Sequence, residues 1–169
     1  RNQQGGRSAR PVHHPLLMRV QVPAFFGEPV IKDHHAQIGA GLASAKGGPY
    51  RCYMRILFLG DVMGRAGRAA ITERLPGLRR EWGLDFIVVN GENASGGMGL
   101  TGDHAKAIFD AGADCVTLGD HAFDQKDMLS AIESENRIIR PLNFAKGAPG
   151  RGARLFNATG GRKVLVAQV

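Results

Sequence analysis

Cysteine is scarce in this chain: Cys52 and Cys115 are the only two among 169 residues, and no chelating or redox spacing joins them. That excludes a disulfide scaffold and a thiolate metal cluster, and nothing asks for an oxidising compartment. Long apolar runs are missing, with no stretch of about eighteen or more. The first residues also lack the basic, apolar, small-residue order of a secretory leader. A cytoplasmic protein with no membrane partner is the expectation. Internal repeats and low-complexity tracts are absent as well.

What is present is ordinary for one globular domain, with 43% hydrophobic and 22% charged residues. The net charge of +7 invites a nucleic-acid reading, but five of those seven charges fall in residues 1–53. That segment also holds five of the eight prolines and shows neither a helical nor a strand apolar period. We read residues 1–53 as an irregular or mis-annotated leader whose scattered basic charge gives nucleic acid only weak support. The pairs His13-His14 and His34-His35 are poor chelators, because neighbouring side chains point apart in a strand and stand about 100° apart on a helix. The chain opens on Arg1, and Met54 directly precedes a strong strand pattern, so translation is expected to begin at Met54.

From Met54 the pattern becomes regular. Ile56-Leu57-Phe58-Leu59 predicts a buried strand ending in Gly60-Asp61, and Ile71, Leu75, Leu78 and Trp82 then share one helical face. Pro76 is expected to kink that helix or restart it after Arg74. Phe86-Ile87-Val88-Val89 predicts a second strand, running into Asn90-Gly91-Glu92-Asn93 and the glycine-rich loop 94–99. Thr101 is placed to cap a helix carrying Ala105, Ile108 and Phe109, which Gly112 ends. Cys115-Val116-Thr117-Leu118 predicts a third strand, leading to Gly119-Asp120-His121. A helix over about 127–133, a short strand over 137–140 and an apolar run over 163–169 complete the pattern. Such alternation implies parallel strands with right-handed crossovers, an α/β sheet covered on both faces.

Parallel strands deliver their carboxyl ends to one edge, where ligands bind. Asp61, Glu92 with Asn93, and Asp120 with His121 therefore converge from three separate segments. Carboxylates, an amide and an imidazole suit hard or borderline divalent metals. Gly60, Gly91 and Gly119 read as residues that let the chain turn sharply off each strand. The loop 94–99 lacks the Lys-Ser/Thr of a P-loop and does not match Gly-x-Gly-x-x-Gly. Arg65 and Arg68 read as solvated cations, and His104 as a solvent-facing or packed histidine.

The runs Gly60-Asp61-Val62-Met63-Gly64-Arg65-Ala66-Gly67-Arg68, Asn90-Gly91-Glu92-Asn93-Ala94-Ser95-Gly96-Gly97 and Thr117-Leu118-Gly119-Asp120-His121-Ala122-Phe123-Asp124 resemble, in order, the motifs of the YmdB-like family. Pro141-Leu142-Asn143-Phe144 also resembles a family segment. The resemblance implies a bacterial calcineurin-like metallophosphoesterase with 2',3'-cyclic nucleotide phosphodiesterase activity. It implies an α/β sandwich of mainly parallel strands, of which residues 54–169 are the N-terminal half. It further implies two divalent ions, Fe, Mn or Mg, with Glu92 bridging, Asp61 and Asn93 on one ion, Asp120 on the other, and His121 as proton donor. Asp120 stands where the family more usually has Asn. The family's three later histidine ligands would lie beyond this chain, which is then expected to be a fragment with weak metal binding. The implied partner is a small-molecule phosphodiester or cyclic nucleotide, with a homo-oligomer allowed. Two rivals stand beside this reading: a non-catalytic nucleotide- or phosphate-binding α/β module, and an inactive truncated gene product.

Overall fold

The computed structural model describes residues 54–169 and the backbone of residues 19–21. The elements run β1 (Arg19–Gln21), β2 (Arg55–Leu59), α1 (Gly64–Glu81), β3 (Phe86–Asn90), α2 (Gly102–Asp110), β4 (Cys115–Thr117), α3 (Met128–Ser134), β5 (Ile138–Ile139), β6 (Ala153–Asn157) and β7 (Lys163–Ala167). Strands β1 to β5 form one parallel sheet in sequential order, and β6 pairs antiparallel with β7. Apart from Arg19–Gln21, the residues read as a leader, the paired histidines among them, lie outside the described residues. Within the leader, Arg19–Gln21 add a strand alongside β2, with Arg19 opposite Arg55.

Sequential order has a consequence for the layers. Each right-handed crossover from β2 to β5 steps one strand in the same direction, so α1, α2 and α3 all land on one face. There Ile71 and Leu75 of α1, Ala105, Ile108 and Phe109 of α2, and Met128 and Ile132 of α3 pack on Leu57, Ile87, Val89, Val116 and Ile138. The opposite face carries Ile56, Phe86, Val88, Cys115 and Ile139, and is covered by Phe156, Val164 and Val166 of the β6–β7 hairpin. Phe86 meets Phe156 edge-on, with ring centroids 5.4 Å apart. Both faces are covered as expected for the α/β pattern, but by helices on one side and a hairpin on the other. Strand β6 escaped the sequence reading because only Phe156 of its five residues is buried.

Helix α1 continues through Pro76, which corrects the expected restart after Arg74. A proline inside a helix costs about 3 kcal/mol. Ile71 and Leu75 are both buried just before it, and each contributes about 1.5–3 kcal/mol through burial. The amide that Pro76 lacks would have bonded the carbonyl of Thr72, an exposed residue whose carbonyl water can satisfy.

Two aspartates register the sheet. Asp85 directly precedes β3 and accepts the Arg55 amide at 2.8 Å, while Asp114 directly precedes β4 and accepts the Ile87 amide at 2.8 Å. Each carboxylate also meets an arginine, Arg162 at 2.8 Å for Asp85 and Arg79 at 2.9 Å for Asp114. Beyond β5, the buried Arg140 donates to the carbonyls of Pro141, Ala148 and Pro149 and holds the chain that leads into the hairpin.

Cys115 lies fully buried under the hairpin, and burial, followed by the neighbouring Asp114 charge, pushes its thiol up to about 12. Thiolate is the reactive form. Iodoacetamide at pH 8 should leave Cys115 unmodified in the native protein and label it in denaturant, as read by peptide mass spectrometry. Native labelling at the rate of a free thiol would mean that the hairpin does not seal this face.

Candidate metal centre

The site is built by strand register. Leu59 pairs with Val89, and Asn90 pairs with Thr117, so the ends of β2, β3 and β4 lie side by side. Two backbone bonds continue this order past the strands: the Val62 amide donates to Asn90 O at 3.1 Å, and the Gly91 amide donates to Thr117 O at 2.9 Å. All five residues singled out above stand at this edge, in two groups. Ligand atoms of Glu92, Asp120 and His121 lie within 4.8 Å of one another. Asp61 lies outside that triplet and instead accepts a hydrogen bond from Asn93 Nδ2 at 2.7 Å.

Asp61 has φ 46°, the one positive φ at a non-glycine position among the described residues. Left-handed backbone at such a residue costs about 1–3 kcal/mol and gathers at functional sites. The sharp turn off β2 is thus made by Asp61 and not by Gly60. Gly91 and Gly119 do open turns off their strands, the Ala94 amide donating to Gly91 O and the Ala122 amide to Gly119 O at 3.1 Å each, without positive φ. They are needed for space. A Cβ on Gly91 would sit 2.9 Å from Val116 Cγ1, and one on Gly119 would overlap the Glu92 carboxylate, which lies directly against it.

The electrostatics follow from this crowding. The hydrogen bond that a protonated Glu92 donates to the Asp120 carboxylate, then burial, raises Glu92 above the usual carboxylate range, while the same contact lowers Asp120. Two carboxylates so close cannot both ionise cheaply without a shared proton or cation between them. His121 Nδ1 is 2.6 Å from Asp124 Oδ2, and this hydrogen bond is the main reason the imidazole is raised above its ordinary value. Nearby Asp120 and Glu92 act in the same direction. Asp124 is a residue to which sequence reasoning gave no role, although its position three residues after His121 was the available signal. The donor set of carboxylates, an amide oxygen and an imidazole fits divalent Mn, Fe or Mg.

Around this edge the loop 94–99 serves as a bracket. Gly96, Gly97 and Gly99 all have positive φ, and the Ser95 amide closes the loop on Gly99 O at 2.9 Å. Arg68 donates to Ala94 O, so its reading as a solvated cation is corrected: it ties α1 to the loop. Gln125 Nε2 donates to Met98 O at 2.6 Å, linking the loop to the turn that carries His121. His104 is half-buried, bonded to Ser95 and not part of the acidic cluster.

The family model described as YmdB-like protein matches residues 57–169. A Bacillus subtilis (strain 168) protein named 2',3'-cyclic-nucleotide 2'-phosphodiesterase is 40% identical over 107 residues, which is 63% of this chain and 40% of that protein. The crystal structure of a hypothetical protein from Thermus thermophilus is similar with a TM-score of 0.64 and 41% identity, covering 69% of this chain and 44% of that one. A structure titled as a novel phosphatase from Mycoplasma pneumoniae has a TM-score of 0.61 and 33% identity, covering 68% and 42%. The chain spans about two fifths of the length of the curated relative from Bacillus. Among the described residues no helix is long and apolar enough to cross a membrane.

Proposed function

The chain belongs to the YmdB-like family, and from that premise we propose that the complete protein hydrolyses phosphodiesters with divalent metals, acting on 2',3'-cyclic nucleotides. The observation that carries this reading is the meeting of Glu92 and Asp120 with a histidine braced by its own aspartate. The name of the Bacillus relative supports the substrate class. On this reading residues 54–169 would form the first part of the catalytic domain, and the later histidine ligands that the resemblance implies would lie beyond them.

Asp61, Asn93, Glu92 and Asp120 would hold two divalent ions, which supply charge neutralisation at the phosphate and activation of water. The protein's own proton chemistry rests on His121. Asp124 accepts from Nδ1 and leaves Nε2 to carry the proton that moves. As the water oxygen bonds to phosphorus and the bond to one ribose oxygen breaks, that oxygen takes the proton from Nε2. Such a transfer is worth about 10²–10⁴ in rate. The test is hydrolysis of a 2',3'-cyclic nucleotide by the full-length protein with Mn²⁺, before and after EDTA. Turnover that survives full metal removal, or none with metal restored, would sink the proposal.

Position 120 gives a sharper check. Asp120→Asn keeps an oxygen ligand while removing a charge, so hydrolysis should persist with a changed order of preference among Mn²⁺, Fe²⁺ and Mg²⁺. Asp120→Ala should weaken Mn²⁺ binding by more than about tenfold, or about 1.4 kcal/mol, in calorimetry. An alanine variant that binds Mn²⁺ as the parent does would make Asp120 a turn residue and no ligand.

A further inference from the structure

Ser95 and His104 take no part in the chemistry above, yet they are hydrogen-bonded to each other and to the helix that follows. Ser95 Oγ accepts the Thr101 amide at 2.9 Å and lies 2.7 Å from His104 Nδ1. A serine hydroxyl has one proton and two lone pairs, so Oγ takes the Thr101 amide on one lone pair and still bonds Nδ1 with either its proton or its second lone pair. The His104 amide in turn donates to Thr101 Oγ1, the cap of α2, at 3.3 Å. Loop, ring and helix cap thus form a closed lock.

This lock holds one side of the segment that carries Glu92 and Asn93. On the other side, the Gly64 amide donates to Asn93 O at 3.0 Å and Arg68 holds the Ala94 carbonyl. The Gly97 amide reaches the same Asn93 carbonyl at 3.1 Å. We infer that the Ser95–His104 couple is a positioning device that fixes the Glu92-Asn93 segment between α1 and α2, so that its side chains stand ready for a divalent cation. The inference rests on the reading of Glu92 and Asn93 as ligands. Burial, then the charge of Arg68, lowers His104 and favours its neutral ring.

The test separates the hydrogen bond from ring packing in the full-length protein. H104F keeps a ring but removes the ring nitrogens, S95A removes only the hydroxyl, and H104N places an amide, able to donate or accept, near the position of Nδ1. H104F and S95A should each weaken Mn²⁺ affinity by about 10- to 100-fold, the range for residues that orient a ligand. They should lower kcat for bis-p-nitrophenyl phosphate by a similar factor with KM changed less, and speed hydrogen exchange at the Thr101 amide. H104N should restore all three. Parent-like Mn²⁺ affinity in S95A, or an H104N as impaired as H104F, overturns the inference; if H104F does not fold, S95A and H104N decide it. A parent that neither binds Mn²⁺ nor hydrolyses the diester removes the functional reading itself. The lock is then judged by exchange at Thr101, and unchanged exchange in S95A would overturn it too.

Discussion

Gly119→Ala is expected to cut turnover by the complete protein at least about a hundredfold while the sheet stays folded, because a misplacement of about 1 Å at a reacting centre costs that much. The new methyl group would occupy the space of the Glu92 carboxylate. Glu92 is half-buried and its side chain can swing away, so the strain is relieved by displacing the candidate ligand and not by moving β4. Overpacking of this kind costs about 1–3 kcal/mol of stability. Gly91→Ala is the control, since its methyl group meets Val116 and Leu100 of the core and should lower the melting temperature more than it disturbs Glu92. Melting temperature, Mn²⁺ affinity and turnover, measured together, separate the two. A Gly119→Ala protein with parental turnover would show that Glu92 in this position is not a working ligand.

His121→Ala should lower kcat by about 10²–10⁴ on a 2',3'-cyclic nucleotide, whose leaving ribose oxygen needs a proton. On bis-p-nitrophenyl phosphate the loss should be far smaller, because a nitrophenolate departs without one. Asp124→Ala should show the same dependence on leaving group to a lesser degree, since Nδ1 loses the partner at 2.6 Å that orients the ring. Equal losses on both substrates would assign His121 to metal or phosphate binding in place of proton transfer.

The elements of residues 54–169 were legible where burial is continuous. Phe86 to Val89 are all buried, and the apolar run announces β3. Thr101 announces the start of α2 by its side chain and does accept the His104 amide there. Strand β6 was not legible, because its burial comes from one face of a two-stranded hairpin. Pro76 does not restart the helix for a related reason: local backbone chemistry argues for an end there, whereas the burial of Ile71 and Leu75 outweighs it.

The sequence alone determined which residue types stand at the strand ends. Short apolar runs closing in Asp61, in Glu92-Asn93 and in Asp120-His121 are local patterns, and parallel pairing brings such ends to one edge. The tertiary structure decided how they group. Asn93 turns to Asp61, Glu92 joins Asp120 and His121, and Asp124 braces the imidazole. It also gave Gly119 its reason, which is the space taken by a side chain from a neighbouring strand end. It joined Ser95 to His104 across nine positions. These facts depend on side-chain positions set by packing of separate elements. Residue order constrains the backbone locally, but only the packed fold decides which side chains share a given volume.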